Sequence, residues 1–318
     1  MIATLQSLRF VFVMLIFLSH FAYKDILALD AGGDCGVAFF FILSGFGCSL
    51  GYGSQLRDGS FRYAAFLWWR IRKCYPLHLL CLAVFLLLSH AAIDGKVLLN
   101  ALLLQSWVPD ADWYFSCNSV AWFLSSLLFC YVLFPWAYRW LSPALTATVI
   151  VACIAVYLLT PYNRVNAILY VHPLVRFFDF YWGMLLARCY NRWQSPQGME
   201  WLLLVLLLAA LALYPVMDAK VRNAPLYWLV LLPLIAVFAQ HRGWLSRLLE
   251  SKAMLWLGSL TMPLFLTHQM VISIVQHHLP DMPAVAMLAA CLLVALTVSW
   301  GIQTIFSRLL RLYYNEIR

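Results

Sequence analysis

Charge is scarce in this sequence. Asp, Glu, Lys and Arg make up 11% of its 318 residues, 13 acidic against 21 basic. A soluble domain carries about a quarter charged residues, so a sizeable water-facing body is excluded. The 64% hydrophobic share and the mean hydropathy of +0.84 argue the same way. Metal-type spacing is missing as well. The nine cysteines form no CxxC pair and no Cys/His cluster, and they read as small buried apolar residues. Cys35 and Cys117 both fall near expected outer loops, which leaves a disulfide between them open. There is no P-loop of the form GxxxxGKS/T, which removes an ATPase of its own. No internal repeat or low-complexity linker breaks the chain, so residues 1–318 read as one domain.

What is present is apolar and long. Runs of roughly membrane-spanning length fall near 5–22, 34–53, 74–91, 119–138, 144–160, 166–187, 200–216, 225–240, 254–276 and 284–306. The expected fold is an all-α integral membrane protein, a bundle of about ten transmembrane helices in the lipid bilayer. The stretch 97–108 is too short to cross and reads as re-entrant or interfacial. With ten spans, most Lys and Arg fall on the side holding both termini, so both termini are expected in the cytoplasm. That bias accounts for the net charge of +8 without nucleic acid as a partner. The first apolar run lacks a basic leader and a small-x-small site, and it reads as an uncleaved helix.

Ionisable side chains inside such spans are costly, and they normally face a protein interior or a wet cavity. Arg9 and His20 stand in the first run; eleven residues of helix make roughly three full turns over about 16 Å, so the two share a face. The second span opens at Asp34 and is rich in small residues, Ser44 among them, which favour close helix contact in a membrane. Arg70, Arg72 and Lys73 crowd one membrane boundary, either as anchors to lipid headgroups or as a phosphate clamp. Arg176 and Asp179 lie three apart on the sixth span, where they share a helix face as a structural ion pair or a cavity lining. Trp107, Trp113 and Tyr114 suit an interfacial aromatic belt or a sugar-stacking platform. His268 sits in the outer half of the ninth span, at a depth like that of His20.

Several of these residues fall into an ordered pattern. Arg9 and His20 have an R-x10-H spacing. Gly36-Val37-Ala38-Phe39-Phe40-Phe41-Ile42-Leu43-Ser44-Gly45-Phe46 follows as a GV-x-x-FF-x-LSGF block. A basic block before Pro76, a Trp122-Phe123-Leu124 start to the fourth span, an Arg176-x-x-Asp179 block and a Gly258-to-His268 block complete the set. The whole chain thus resembles the membrane acyltransferase-3 family. Departures stand at Ala38 and Leu127, where many members carry Asp and Glu, and at Lys73, where Arg is usual.

The resemblance implies an O-acyltransferase moving an acyl group, commonly acetyl, from acyl-CoA as co-substrate, with no tightly bound cofactor and no metal. The acceptor would be a hydroxyl of a cell-surface carbohydrate, a lipid-linked sugar or a small alcohol, at a bacterial inner membrane. His20 is the expected general base, because a neutral imidazole suits that task near neutral pH. Arg9 is too far along its helix to touch the reacting carbonyl; with Arg70, Arg72 and Lys73 it is expected to bind the acyl-CoA. Asp34, Ser44, Trp122, Arg176, Asp179 and His268 are expected to line the cavity, and the acid that orients His20 stays unassigned between Asp34 and Asp179. From the residues alone a transporter or flippase for an acylated or glycosylated lipid is the alternative, since intramembrane charges also mark transport paths.

Overall fold

A computed structural model describes residues 2–21, 32–192, 194–196, 198–223 and 226–316. Every regular element among them is helical. The main helices are α1 (Ala3–Ser19), α2 (Gly33–Asp58), α3 (Tyr63–Ser89), α4 (Trp122–Arg139), α5 (Pro143–Leu159), α6 (Pro173–Cys189), α7 (Met199–Ala212), α8 (Leu226–Phe238), α9 (Lys252–Ser259), α10 (Thr261–His278) and α11 (Ala284–Glu316). Each apolar run of the sequence contains one of them.

Five helices are long and apolar enough to cross a bilayer, and seven spans result if two bent pairs count as one each. A 26-residue helix such as α2 reaches about 39 Å, more than the ~30 Å hydrocarbon core. By contrast α7 has only 14 residues: its run breaks at a 3₁₀ turn holding Pro215, which cannot continue the ladder. The run at 166–187 is also broken. Asn166–Val171 forms a π-helical turn, bent with Tyr162–Arg164 by 114° from α5. Helix α6 restarts at Pro173, with the His172 side chain accepting from Leu174 N–H at 3.3 Å. Helices α9 and α10 bend by 59° at Leu260. The stretch 97–108 does not cross: it holds the short helix Gly95–Ala101, capped by Asp94, and a 3₁₀ turn at Gln105–Trp107.

The bundle is organised around α2. A Cβ on Gly45 would lie 1.9 Å from the Phe180 carbonyl oxygen, and one on Gly183 would lie 1.9 Å from that of Ile42. Only glycine allows α2 and α6 this backbone approach, the small-residue packing that replaces the hydrophobic effect within lipid. Helix α1 crosses α2 with Phe12 stacked on Phe39 at 3.8 Å. Its polar residues tie it to the C-terminal half: Thr4 donates to Phe238 O at 2.6 Å, Ser7 to Leu249 O at 2.5 Å and Gln6 to Leu255 O at 3.1 Å. All nine cysteines are free thiols, so Cys35 and Cys117 are not paired.

Candidate active site

A cavity of about 310 Å³ opens between α1, α2, α3, α4 and the α9–α10 bend. Three cations line it: Arg9 from α1, and Arg70 and Lys73 from α3. No carboxylate is among the described residues of its wall. Arg70 sits in an aromatic box, with its guanidinium carbon 5.5 Å from the ring centre of Tyr52, 5.3 Å from Phe66 and 5.1 Å from Tyr131. Such faces stabilise a cation without neutralising it. Its Nε is buried with no hydrogen-bond partner among the described residues, as is that of Arg176. Ser44 lines the same wall and donates to Phe40 O at 2.7 Å. Tyr131 lines the same wall, its ring facing the Arg70 guanidinium.

Three phenylalanines roof this cavity, one each from α2, α4 and α10. Phe40 and Phe123 are 6.2 Å apart by ring centres, Phe123 and Phe265 5.0 Å, Phe40 and Phe265 6.4 Å. On its other side Phe265 lies against His268, with 6.1 Å between ring centres. The two imidazoles meet there. His268 Nε2 is 3.4 Å from His20 Nδ1, with the rings edge to face at 5.1 Å. Backbone carbonyls select the tautomers, because a carbonyl oxygen only accepts. His268 Nδ1 lies 2.8 Å from Phe265 O and 3.2 Å from Leu264 O, and His20 Nδ1 lies 2.8 Å from Ile16 O. In the neutral rings both Nδ1 atoms therefore carry hydrogen. His268 Nε2 accepts from His20, and Nε2 of His20 holds the basic lone pair.

This layout is a cationic chamber, an aromatic layer and a pair of imidazoles. The family model described as an acyltransferase domain (Acyl_transf_3) matches residues 2–304. The chain belongs to the acyltransferase-3 family. It is similar to the acyltransferase MdmB of Streptomyces mycarofaciens, at 29% identity over 157 residues, which is 43% of this chain and 39% of that relative. The chain therefore spans about two-fifths of that relative's length. No solved structure gives a significant match.

The acyltransferase-3 pattern places some expected residues well and others not. Arg9, Ser44, Arg70 and Lys73 share the cavity wall, and His20 and His268 come together beyond its roof. Arg72 does not join the cavity: its guanidinium carbon lies 3.6 Å from the Trp69 ring centre. At 100° per residue it stands about 200° round the helix from Arg70, whereas Lys73 comes back to within about 60°. Trp122 is buried against Tyr170, 4.8 Å between ring centres, and its neighbour Phe123 lines the cavity instead.

The expectation that Arg176 and Asp179 line the central cavity is corrected. They form a 3.0 Å ion pair lining a separate pocket of about 30 Å³ with Cys153, Tyr157 and Trp228. Helix α2 stands between this pair and the cavity: it gives Phe40, Leu43 and Ser44 to the cavity wall and turns Ile42 and Gly45 to α6, with the Arg176 guanidinium carbon 6.0 Å from the Phe41 ring centre. Asp34, at the start of α2, accepts from the Tyr214 hydroxyl at 3.3 Å. Among the described residues, the Ile16 carbonyl and His268 lie within hydrogen-bonding distance of His20. Leu127, at the family's Glu position, lines the cavity as an apolar wall.

Tyr131 and the three phenylalanines escaped the sequence reading. Phe123, Leu127 and Tyr131 recur every four residues, the spacing of one helix face, and that was the available signal.

Proposed function

We propose that this protein is a membrane O-acyltransferase that moves an acyl group, commonly acetyl, from acyl-CoA to a hydroxyl of a cell-surface carbohydrate or related acceptor. The observation that carries this reading is the cavity holding Arg9, Arg70 and Lys73 with no carboxylate among its described lining. Unpaired cations within a membrane protein are costly, and a polyanion resolves that cost. The phosphates of coenzyme A supply several negative charges, which Arg binds as a fork and Lys as a point charge. About ten crossings with both termini in the cytoplasm of a cell membrane put the cation-bearing ends of α1 and α3 on the side where acyl-CoA is made. The thioester then lies against the phenylalanine layer, and the acceptor hydroxyl held at His20 reaches it through that layer.

In the reaction Nε2 of His20 takes the proton of the acceptor hydroxyl as its oxygen bonds to the thioester carbonyl carbon. The carbon–sulfur bond breaks, and the coenzyme A thiolate leaves with the proton returned from His20. During the transfer His20 is an imidazolium whose Nδ1–H is shared between the Ile16 carbonyl and His268 Nε2, neutral acceptors that steady it. This is the orienting role an acid plays in other triads.

The test is thiol release from acetyl-CoA by purified protein in nanodiscs with a crude surface-glycan extract. Wild type should release coenzyme A, and His20→Ala should be slower by about 10²–10⁴-fold, the worth of general-base catalysis. A folded His20→Ala protein with normal turnover sinks the assignment. Failure of the wild type both to bind and to turn over acetyl-CoA would favour the transporter reading.

A further inference from the structure

A second chamber of about 290 Å³ adjoins the cationic cavity and shares Arg70, Cys74, Leu127 and Tyr131 with it. The rest of its wall comes from Ile71, Tyr75 and four leucines at 102, 103, 124 and 128. It runs up α4 from Tyr131 to Leu124, seven residues or about 10 Å of helix, and ends near Leu102, which is 51% exposed. One chamber is therefore built for charge and the next for hydrocarbon, and the two meet at a single cation and a single phenol. A ligand filling both has a polyanionic head joined to an apolar tail.

We infer that this apolar chamber is the binding site for the acyl chain of the donor thioester, and that the enzyme accepts chains longer than acetyl. The inference rests on the acyl-CoA reading above and names its acyl substrate class. A thioester that enters the junction from the cationic cavity directs its chain along Leu127, Leu128 and Leu124. Its carbonyl stays beneath Phe123 and Phe265. The chain lies beside the route to the imidazoles rather than across it. Leu127 decides the character of the junction: a carboxylate at that place would face both the hydrocarbon and the thioester, whereas leucine leaves a continuous apolar wall. Burying each further methylene is worth about 0.8 kcal/mol, roughly fourfold in affinity.

The experiment is competition binding of acetyl-CoA and hexanoyl-CoA to wild type and Leu128→Trp protein in nanodiscs, without acceptor, so that no chemistry is needed. Wild type should prefer hexanoyl-CoA by tenfold or more, and Leu128→Trp, which fills the chamber, should bring that ratio close to one. Should Leu128→Trp bind neither thioester, it has not folded, and Leu102→Trp at the exposed mouth then reads the same ratio. Equal affinity of wild type for the two donors overturns the chamber assignment while leaving the acyl-CoA reading intact. So does a preference that the tryptophan leaves unchanged, the outcome expected if a bilayer lipid tail fills the chamber. Absence of binding by either donor to wild type overturns both.

Discussion

Two regions of this bundle bury arginine, and they treat it in opposite ways. Arg176 is closed on itself: it pairs with Asp179 at 3.0 Å and donates to Leu169 O at 2.5 Å, while Trp228 donates to the same carboxylate at 2.5 Å. The pocket beside it is about 30 Å³, too small for a substrate. Arg70 is left open: aromatic faces hold it and no acid shares its cavity among the described residues. The difference separates a charge kept for structure from one kept for a ligand. Sequence alone offers both as arginines within apolar runs.

Breaking the closed pair should give the larger effect on folding. Asp179→Ala leaves Arg176 uncompensated and is expected to cost about 3–5 kcal/mol, read as a large loss of thermal stability in detergent. The double variant Arg176→Met with Asp179→Leu should recover most of that loss, since apolar replacements of a buried pair are often neutral. If the single variant is as stable as wild type while acyl-CoA binding disappears, the pair belongs to the substrate site after all.

Opening the other region further should give the reverse pattern. Arg70→Met removes a charge that nothing in the cavity balances, so thermal stability should hold or rise. Acetyl-CoA affinity should fall about ten- to a hundredfold, the worth of a charged hydrogen bond. Unchanged affinity would mean that the anion sits elsewhere in the molecule.

How far the sequence discloses this contrast depends on what sets each side chain's direction. Arg9 and His20 were legible, because both lie on one unbroken helix and eleven residues return to the same face. The meeting of His20 with His268 was legible from depth alone, each standing in the outer half of its run. The direction of Arg176 was not. It depends on α2 lying between α6 and the cavity, an arrangement fixed by the backbone contacts of Gly45 with Phe180 and of Gly183 with Ile42 between helices far apart in sequence. The phenylalanine roof was hidden for another reason: in a chain with 21 phenylalanines, three that share a wall look like any others until α2, α4 and α10 are brought together. Helix lengths were blurred likewise. Hydropathy runs on through Pro215 and through the π turn before Pro173, while the backbone ladder stops at both.

The finest test of the comparison lies within α3 itself, where two arginines stand two residues apart. Arg70 faces the cavity and Arg72 stacks on Trp69 outside it. Both carry the same charge close to the same membrane boundary, so a general attraction for anions would involve them almost equally. Binding through directed contacts would not. Arg72→Ala should therefore change acetyl-CoA affinity less than about threefold, the ~0.6 kcal/mol scale of a partly exposed charge outside the cavity. Measured at low and at physiological salt, the small loss should shrink further as exposed charges are screened, while the loss from Arg70→Met persists. Equal losses from the two variants at both salt concentrations would show that charge density at the boundary, and not the geometry of the cavity, recruits the donor.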